Sequence, residues 1–182
     1  NRDNWQLFAE LGWLSIPFAE EHGGFGGNIV DLSVVMEELG KGLVVEPYFP
    51  TVVMFGGLIK RAGNEAQQAD WLPRIIAGDV LGAFAYVERQ SRFALHDCQM
   101  TATKSGDGYV LNGEKVVVFI GEQADHLVVL ARTSGEQSDQ DGLSLFVIAA
   151  AAAGVSKMSY PMMDGQRVAN ITFSDVAIGA DA

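Results

Sequence analysis

The stretch Phe84-Ala85-Tyr86-Val87-Glu88-Arg89-Gln90-Ser91-Arg92-Phe93 sets one carboxylate and two guanidinium groups directly after an apolar run. Guanidinium groups so close together can hold a phosphate or carboxylate, with Glu88 fixing one of them; the alternative is a salt-bridged turn. Ser91 lacks the strand–turn–helix context of a nucleophile elbow, so acyl-enzyme chemistry is not supported. His22, His96 and His126 form no i, i+4 pair, and Cys98 is the only cysteine, so neither a thiolate metal cluster nor an intrachain disulfide is expected. Each histidine reads as a loop or surface residue, and Cys98 as a core side chain at a strand start. Lys115 is open to two readings, a solvated hairpin residue or a binding residue. Gly23-Gly24-Phe25-Gly26-Gly27 offers amides to an anion, but no β-α-β unit frames it and no Gly-Lys-Ser/Thr follows. It reads as a turn from Pro17 to a helix beginning near Ile29.

The elements that position these groups change period near Gly78-Asp79. Up to there the pattern is helical. Trp5, Phe8 and Leu11 share a face, with Asp3 as N-cap and Gly12 as stop. Leu32, Val35, Met36 and Leu39 form an amphipathic stripe, closed by Gly40 and Lys41. Thr51 is expected to cap a largely buried helix running to Ala62, and Asn64 with Gln67 to box the start of another that Pro73 breaks and Gly78 ends. After residue 80, short β-rich runs follow at about the 8–12-residue spacing of an all-β domain: 80–87, 98–104, 109–120, 126–133, 143–149 and 168–174. Ser105-Gly106-Asp107-Gly108 and Asn112-Gly113 are the sharp-turn signals, and residues 134–141 read as a solvated polar loop. The fold class is therefore α+β in two domains, helical over 1–79 and all-β over 80–182.

Composition narrows the partners. The 182 residues are 48% hydrophobic and 19% charged, enough to bury a core, and the net charge is −11. So acidic a chain, with no basic run longer than Lys60-Arg61, is no nucleic-acid binder. Neither residues 1–15 nor the apolar stretch Leu145–Val155 has the form of a signal peptide or membrane span. A reduced, cytoplasmic protein fits best.

Several segments, in order along the chain, resemble one family: LGWLSIPFAEEHGGFGG, VVMEELGKGL, AGNEAQQADWLPRIIAGD, FAYVE, GDGYVLNGEKVVVFIGEQADHLVVLARTS, GLSLFVI and DGQRVANITFSDVAIGAD. They resemble acyl-CoA dehydrogenases, covering the N-terminal helical domain and the middle β-domain. EPY, ERQSR followed by an aromatic, and DGQRVA are similar to the small-subunit type of pimeloyl-CoA dehydrogenase. The resemblance implies an FAD flavoprotein that oxidises an acyl-CoA to the 2-enoyl-CoA in a β-oxidation-like pathway. It also implies an electron-transfer acceptor protein and a homo- or hetero-oligomer with another such subunit. The C-terminal helical bundle, which carries the family's catalytic glutamate, is absent from this chain, so no catalytic residue is assigned. A further helix would precede Asn1.

Carried over by position, the resemblance puts Tyr86, Val87, Glu88, Val117, Val118 and Phe119 at the flavin, and Ser91, Arg92 and Phe93 near the pantetheine or thioester. Glu88, Asn112, Gly113 and Lys115 match the family. Val87 stands where a threonine is usual, Arg89 replaces a proline, and Val117-Val118-Phe119 replaces Trp-Ile-Thr. Two hydroxyls that would hydrogen-bond the flavin are gone, each worth about 1 kcal/mol net, so their joint loss weakens binding about thirtyfold. Three readings stay open: a dehydrogenase subunit that works with a better-equipped partner, a competent dehydrogenase with its own FAD and a base on the bundle, and a structural subunit with a degenerate flavin site.

Overall fold

The computed structural model describes residues 2–182, which divide into two compact units, one ending at Gly82 and one beginning at Ala83. The first is helical: α1 (Arg2–Glu10), α2 (Ile29–Lys41), α3 (Gly57–Ala62) and α4 (Glu65–Ile76). A π-helical segment, Phe49–Gly56, runs directly into α3. Both capping boxes are complete. Asn28 Oδ1 accepts from Val30 N at 2.7 Å while Asp31 accepts from Asn28 N at 2.8 Å. Asn64 and Gln67 exchange the equivalent pair at 2.9 and 3.0 Å.

Three helix expectations are corrected. Asp3 lies within the first turn of α1 rather than at its cap, still opposite the positive end of the helix dipole. Thr51 caps nothing: the helix is already under way at Phe49, and its buried hydroxyl donates to Gly82 O at 3.0 Å. Pro73 does not break α4. It falls in the last turn, where one backbone bond is lost but Leu72 and Ile75 remain buried. The glycine run 23–27 spends its amides internally, Gly24 on Ala19 O, Gly26 on Phe18 O and Gly27 on Ile16 O. A Cβ on Gly24 would come within 2.0 Å of Phe18 O, so the run is a tight turn and not a phosphate cradle.

The second unit is one seven-stranded sheet: β1 (Gly82–Ala85), β2 (Thr101–Ser105), β3 (Gly108–Phe119), β4 (His126–Arg132), β5 (Leu143–Ala149), β6 (Val155–Pro161) and β7 (Arg167–Ile178). The order is β1-β4-β2-β3-β7-β6, with β5 paired to β4. Ser105–Gly108 closes the β2–β3 hairpin as expected. β6 was not foreseen: its side chains are mostly half-exposed or exposed, which leaves little apolar alternation to read.

Asn112-Gly113 is not a hairpin turn. It lies inside β3, where the register against β7 slips by one residue, and Asn112 exchanges hydrogen bonds with Asp175 N and Asp175 Oδ1 at 2.9 and 3.0 Å. The pair signals a bulge, which shares a need for unusual backbone angles with a turn. β3 and β7 slip again between Lys115 and Val118, this time with the extra residue in β3 and Val117 at φ 54°.

Gly113 has φ 148°, and a Cβ there would lie 2.8 Å from Met100 Cα. Gly113→Ala is therefore expected to destabilise the protein by about 1–3 kcal/mol, read from urea unfolding. A change within experimental error would mean that β2 and β3 can separate at no cost.

Candidate functional site

Lys115 comes from the middle of β3, where side chains alternate between faces, and its place in the register turns it inward beside Ile171. It is fully buried, so its ammonium must find an anion there. Glu88, just beyond β1 and itself 4% exposed, supplies it: Nζ donates to Glu88 Oε1 at 2.7 Å. The carboxylate is then saturated. Oε1 also accepts from Met100 N at 3.1 Å and from the Cys98 thiol at 3.3 Å. Oε2 accepts from Gln99 N at 2.7 Å and Gln90 Nε2 at 2.8 Å. Burial pushes the Glu88 carboxyl up, but hydrogen bonds from Lys115 and Gln90, the Lys115 charge and the Gln99 amide outweigh it, so the carboxyl is held below the usual carboxylate range.

The pair ties together three chain segments. Lys115 Nζ also reaches Tyr86 O at 3.4 Å, and Val116 N donates to Val87 O at 2.8 Å, so the end of the 84–88 run is laid against β3. Residues 98–100 close the ring from the other side. Cys98 is buried as expected, and burial pushes its thiol up against the opposing pull of the Lys115 charge, which makes it a poor nucleophile.

Arg132 braces the 96–98 stretch. It is 7% exposed, and its guanidinium donates to six main-chain carbonyls: His96, Cys98, Ser134, Gln137, Asp139 and Asp141, at 2.8–3.2 Å. Residues 134–141 are thus wrapped around a buried cation rather than making a free polar excursion. Nothing in the loop's composition announces this, because every acceptor is backbone.

The two arginines of the opening stretch separate. Arg89 pairs with Glu114, Nε at 3.2 Å and Nη2 at 3.0 Å, in the open. Glu88 therefore fixes neither arginine, having been claimed by Lys115. Arg92 is exposed, has φ 47°, and meets no carboxylate among the described residues. Phe93 beside it is fully exposed. Ser91 is buried, and its hydroxyl accepts from Glu88 N and donates to Glu88 O, so its proton is spent on the turn at Glu88.

The expected flavin-side residues come together in part. Val87 and Val116–Val117 are adjacent through the backbone bond, and Tyr86 is half-buried, its ring stacked on Phe84 at 4.6 Å. Val117 is 39% exposed on its bulge and Phe119 half-buried, but Val118 is sealed in the core at 1% and can offer a ligand only its backbone.

Sequence reading missed Asn170. Its neighbours Ala169 and Ile171 face the core, so Asn170 belongs to the opposite face of β7, yet it is only 9% exposed. It stands across from the β3 bulge, and its Oδ1 accepts from Val117 N at 3.2 Å and from the Tyr160 hydroxyl at 3.1 Å.

Family models match both units: "Acyl-CoA dehydrogenase, N-terminal domain" over residues 1–79 and "Acyl-CoA dehydrogenase, middle domain" over 83–176. The chain is 30% identical to acyl-CoA dehydrogenase FadE12 of Mycobacterium tuberculosis, over 98% of this chain and 47% of that protein. It is 31% identical to the mitochondrial long-chain specific acyl-CoA dehydrogenase of Rattus norvegicus, covering all of this chain and 44% of that one. The structure of the ChsE4–ChsE5 complex from Mycobacterium tuberculosis superposes with a TM-score of 0.89 at 27% identity, over 99% of this chain and 46% of that one. The chain spans about half the length of the curated relatives it matches.

Two outcomes follow for the ion pair. Lys115→Met strands a buried carboxylate and is expected to cost about 3–5 kcal/mol, much of it recovered in Lys115→Met with Glu88→Leu; a single variant as stable as wild type in urea would remove the pair from its central place. The folded Glu88 carboxyl titrates below its unfolded value of about 4.3, so its contribution is complete above that pH and is lost as pH falls through the folded value. Unfolding free energy is expected to drop as pH falls from about 4.3, and Glu88→Gln to flatten that slope.

Proposed function

The chain belongs to the acyl-CoA dehydrogenase family, and on that premise we propose that it is the N-terminal and middle part of an FAD-dependent oxidoreductase subunit. The reaction is α,β-dehydrogenation of an acyl-CoA thioester to the 2-enoyl-CoA. The observation that carries the reading is the Glu88–Lys115 pair, which unites two residues of the family's pattern and lays Val87 against Val116. The outcome is an open wall beside a rigid anchor, the kind of surface that a planar cofactor needs.

Whether these residues fit a flavin can be judged from the donors they leave. Val87, Val117 and Phe119 offer apolar area and no hydrogen. Asn170, between Val117 and Tyr160, has a side-chain Nδ2 that meets no acceptor among the described residues. An apolar wall with one unspent donor suits a flat heteroaromatic ring, though with fewer side-chain bonds than the family pattern provides. A bound FAD would supply the acceptor for the hydride leaving the β-carbon. The chain's own part is to support one face of the ring through Tyr86, Val87, Val117 and Phe119, with Glu88 and the backbone of Val118 holding that wall in register. Arg92 and Phe93, both exposed, are the residues proposed to meet the CoA side of the substrate; no residue here is assigned as the base.

We place the subunit in the cytoplasm, in a homo- or hetero-oligomer with another acyl-CoA dehydrogenase subunit, passing electrons to an electron-transfer protein. The two-protein complex among its structural relatives supports the oligomer. No helix among the described residues is long and apolar enough to cross a membrane. The apolar replacements at Val87 and Phe119 favour a second reading, a structural subunit whose flavin site has decayed.

Bound flavin per chain, measured on the full-length subunit alone and with its partner subunit, separates the two. Flavin held by this subunit in either preparation supports the first reading; none in either, with no acyl-CoA oxidised, supports the second. Val87→Thr with Phe119→Thr is expected to raise flavin affinity about ten- to thirtyfold by restoring two hydroxyl donors. Unchanged affinity would show that the ring does not lie on this wall.

A further inference from the structure

Asn170 carries the inference. The orientation of its amide is fixed by its neighbours. A backbone N–H can only donate, so the atom facing Val117 N at 3.2 Å must be the oxygen. The Tyr160 hydroxyl, 3.1 Å from the same oxygen, donates to it as well. Both acceptor directions of Oδ1 are spent, and Nδ2 is turned away from the two groups that hold the side chain. Nδ2 meets no acceptor among the described residues and still touches solvent, although the residue is 91% buried.

Its surroundings say what would satisfy it. In β7, Val168, Asn170 and Thr172 share the face opposite Ala169 and Ile171. Across the ladders, Val168 pairs with Phe119 on one side and Tyr160 on the other, while Asn170 pairs with Met158. Next to it Val117 protrudes on its bulge at φ 54°. An amide hydrogen thus opens with Val168, Phe119 and Val117 on one side and the Arg89–Glu114 pair beside Thr172 on the other, where a ligand acceptor can replace the solvent it touches.

We propose that Asn170 Nδ2 is a flavin-binding donor, given to an acceptor atom of the ring lying against Val117, in the place of the hydroxyls absent at Val87 and Phe119. This rests on the flavin reading above. Asn170 has two tasks: Oδ1 secures the bulge that presents Val117, and Nδ2 meets the ring that Val117 supports.

The two tasks separate by mutation in the full-length subunit, in the oligomer it forms. Asn170→Asp keeps an acceptor for Val117 N and Tyr160 and removes the donor. Asn170→Leu removes both. Asn170→Asp is expected to fold and form the oligomer with some stability lost to a largely buried carboxylate, to bind flavin about tenfold or more weakly, and to shift the visible absorption band of what flavin remains. Asn170→Leu is expected to lose stability as well. Wild-type flavin content with an unshifted band in Asn170→Asp overturns the donor assignment alone. A wild-type oligomer in which this subunit holds no flavin overturns the flavin reading itself, and this assignment with it.

Discussion

A fully buried ammonium needs compensating negative charge or oxygen ligands, and the carboxylate that Lys115 finds in Glu88 organises the β unit. Two charges taken out of water cost several kcal/mol each unless geometry and hydrogen bonds compensate. Glu88 meets the condition with four further donors, two of them backbone amides at Gln99 and Met100. Those amides are available only because residues 98–100 pass close by on the way into β2. The pair is therefore less a source of stability than a means of specifying where three segments meet. An apolar pair of similar volume could fill the space without fixing Val87 against Val116.

The consequence for chemistry is a division of labour. Charge is kept inside, where it sets the backbone, and the outward wall is left nearly apolar. Of the ionic groups in the 84–93 run, Glu88 serves Lys115 and Arg89 serves Glu114. Only Arg92 is left facing outward without a carboxylate. A wall made this way carries few polar groups, and the proposed readings differ in what that sparseness means.

Much of this was legible in the residues, and the failures have physical causes. Element types followed the hydrophobic period, and both the boxed start at Asn64 and the Ser105–Gly108 hairpin were readable from local side-chain chemistry. Glu88 and Lys115 stood out by type, but a partnership across 27 residues is decided by strand register, which no local pattern encodes. Asn112-Gly113 was recognised as a place of unusual backbone and misread as a reversal, because a bulge and a tight turn favour the same residues. Asn170 was invisible: in a strand reading it is one more polar residue on the solvent side, and its meaning comes from a bulge in another strand.

The ring of carbonyls around Arg132 has a consequence for how this surface can change. The cation is held by main-chain oxygens alone, much as a metal ion would be, so it constrains the path of residues 134–141 without asking for particular side chains there. Shape and side-chain identity are uncoupled at the six carbonyls themselves, while the turns between them still need Gly135 and Gly142 at positive φ and the Asp139 carboxylate that accepts from Glu136 N. The constraint at the centre falls on Arg132, since lysine's three hydrogens cannot span acceptors that a planar fork reaches. A single buried arginine thereby fixes the trajectory of the edge of the β unit through backbone alone, leaving its exposed side chains outside the turn positions free to vary.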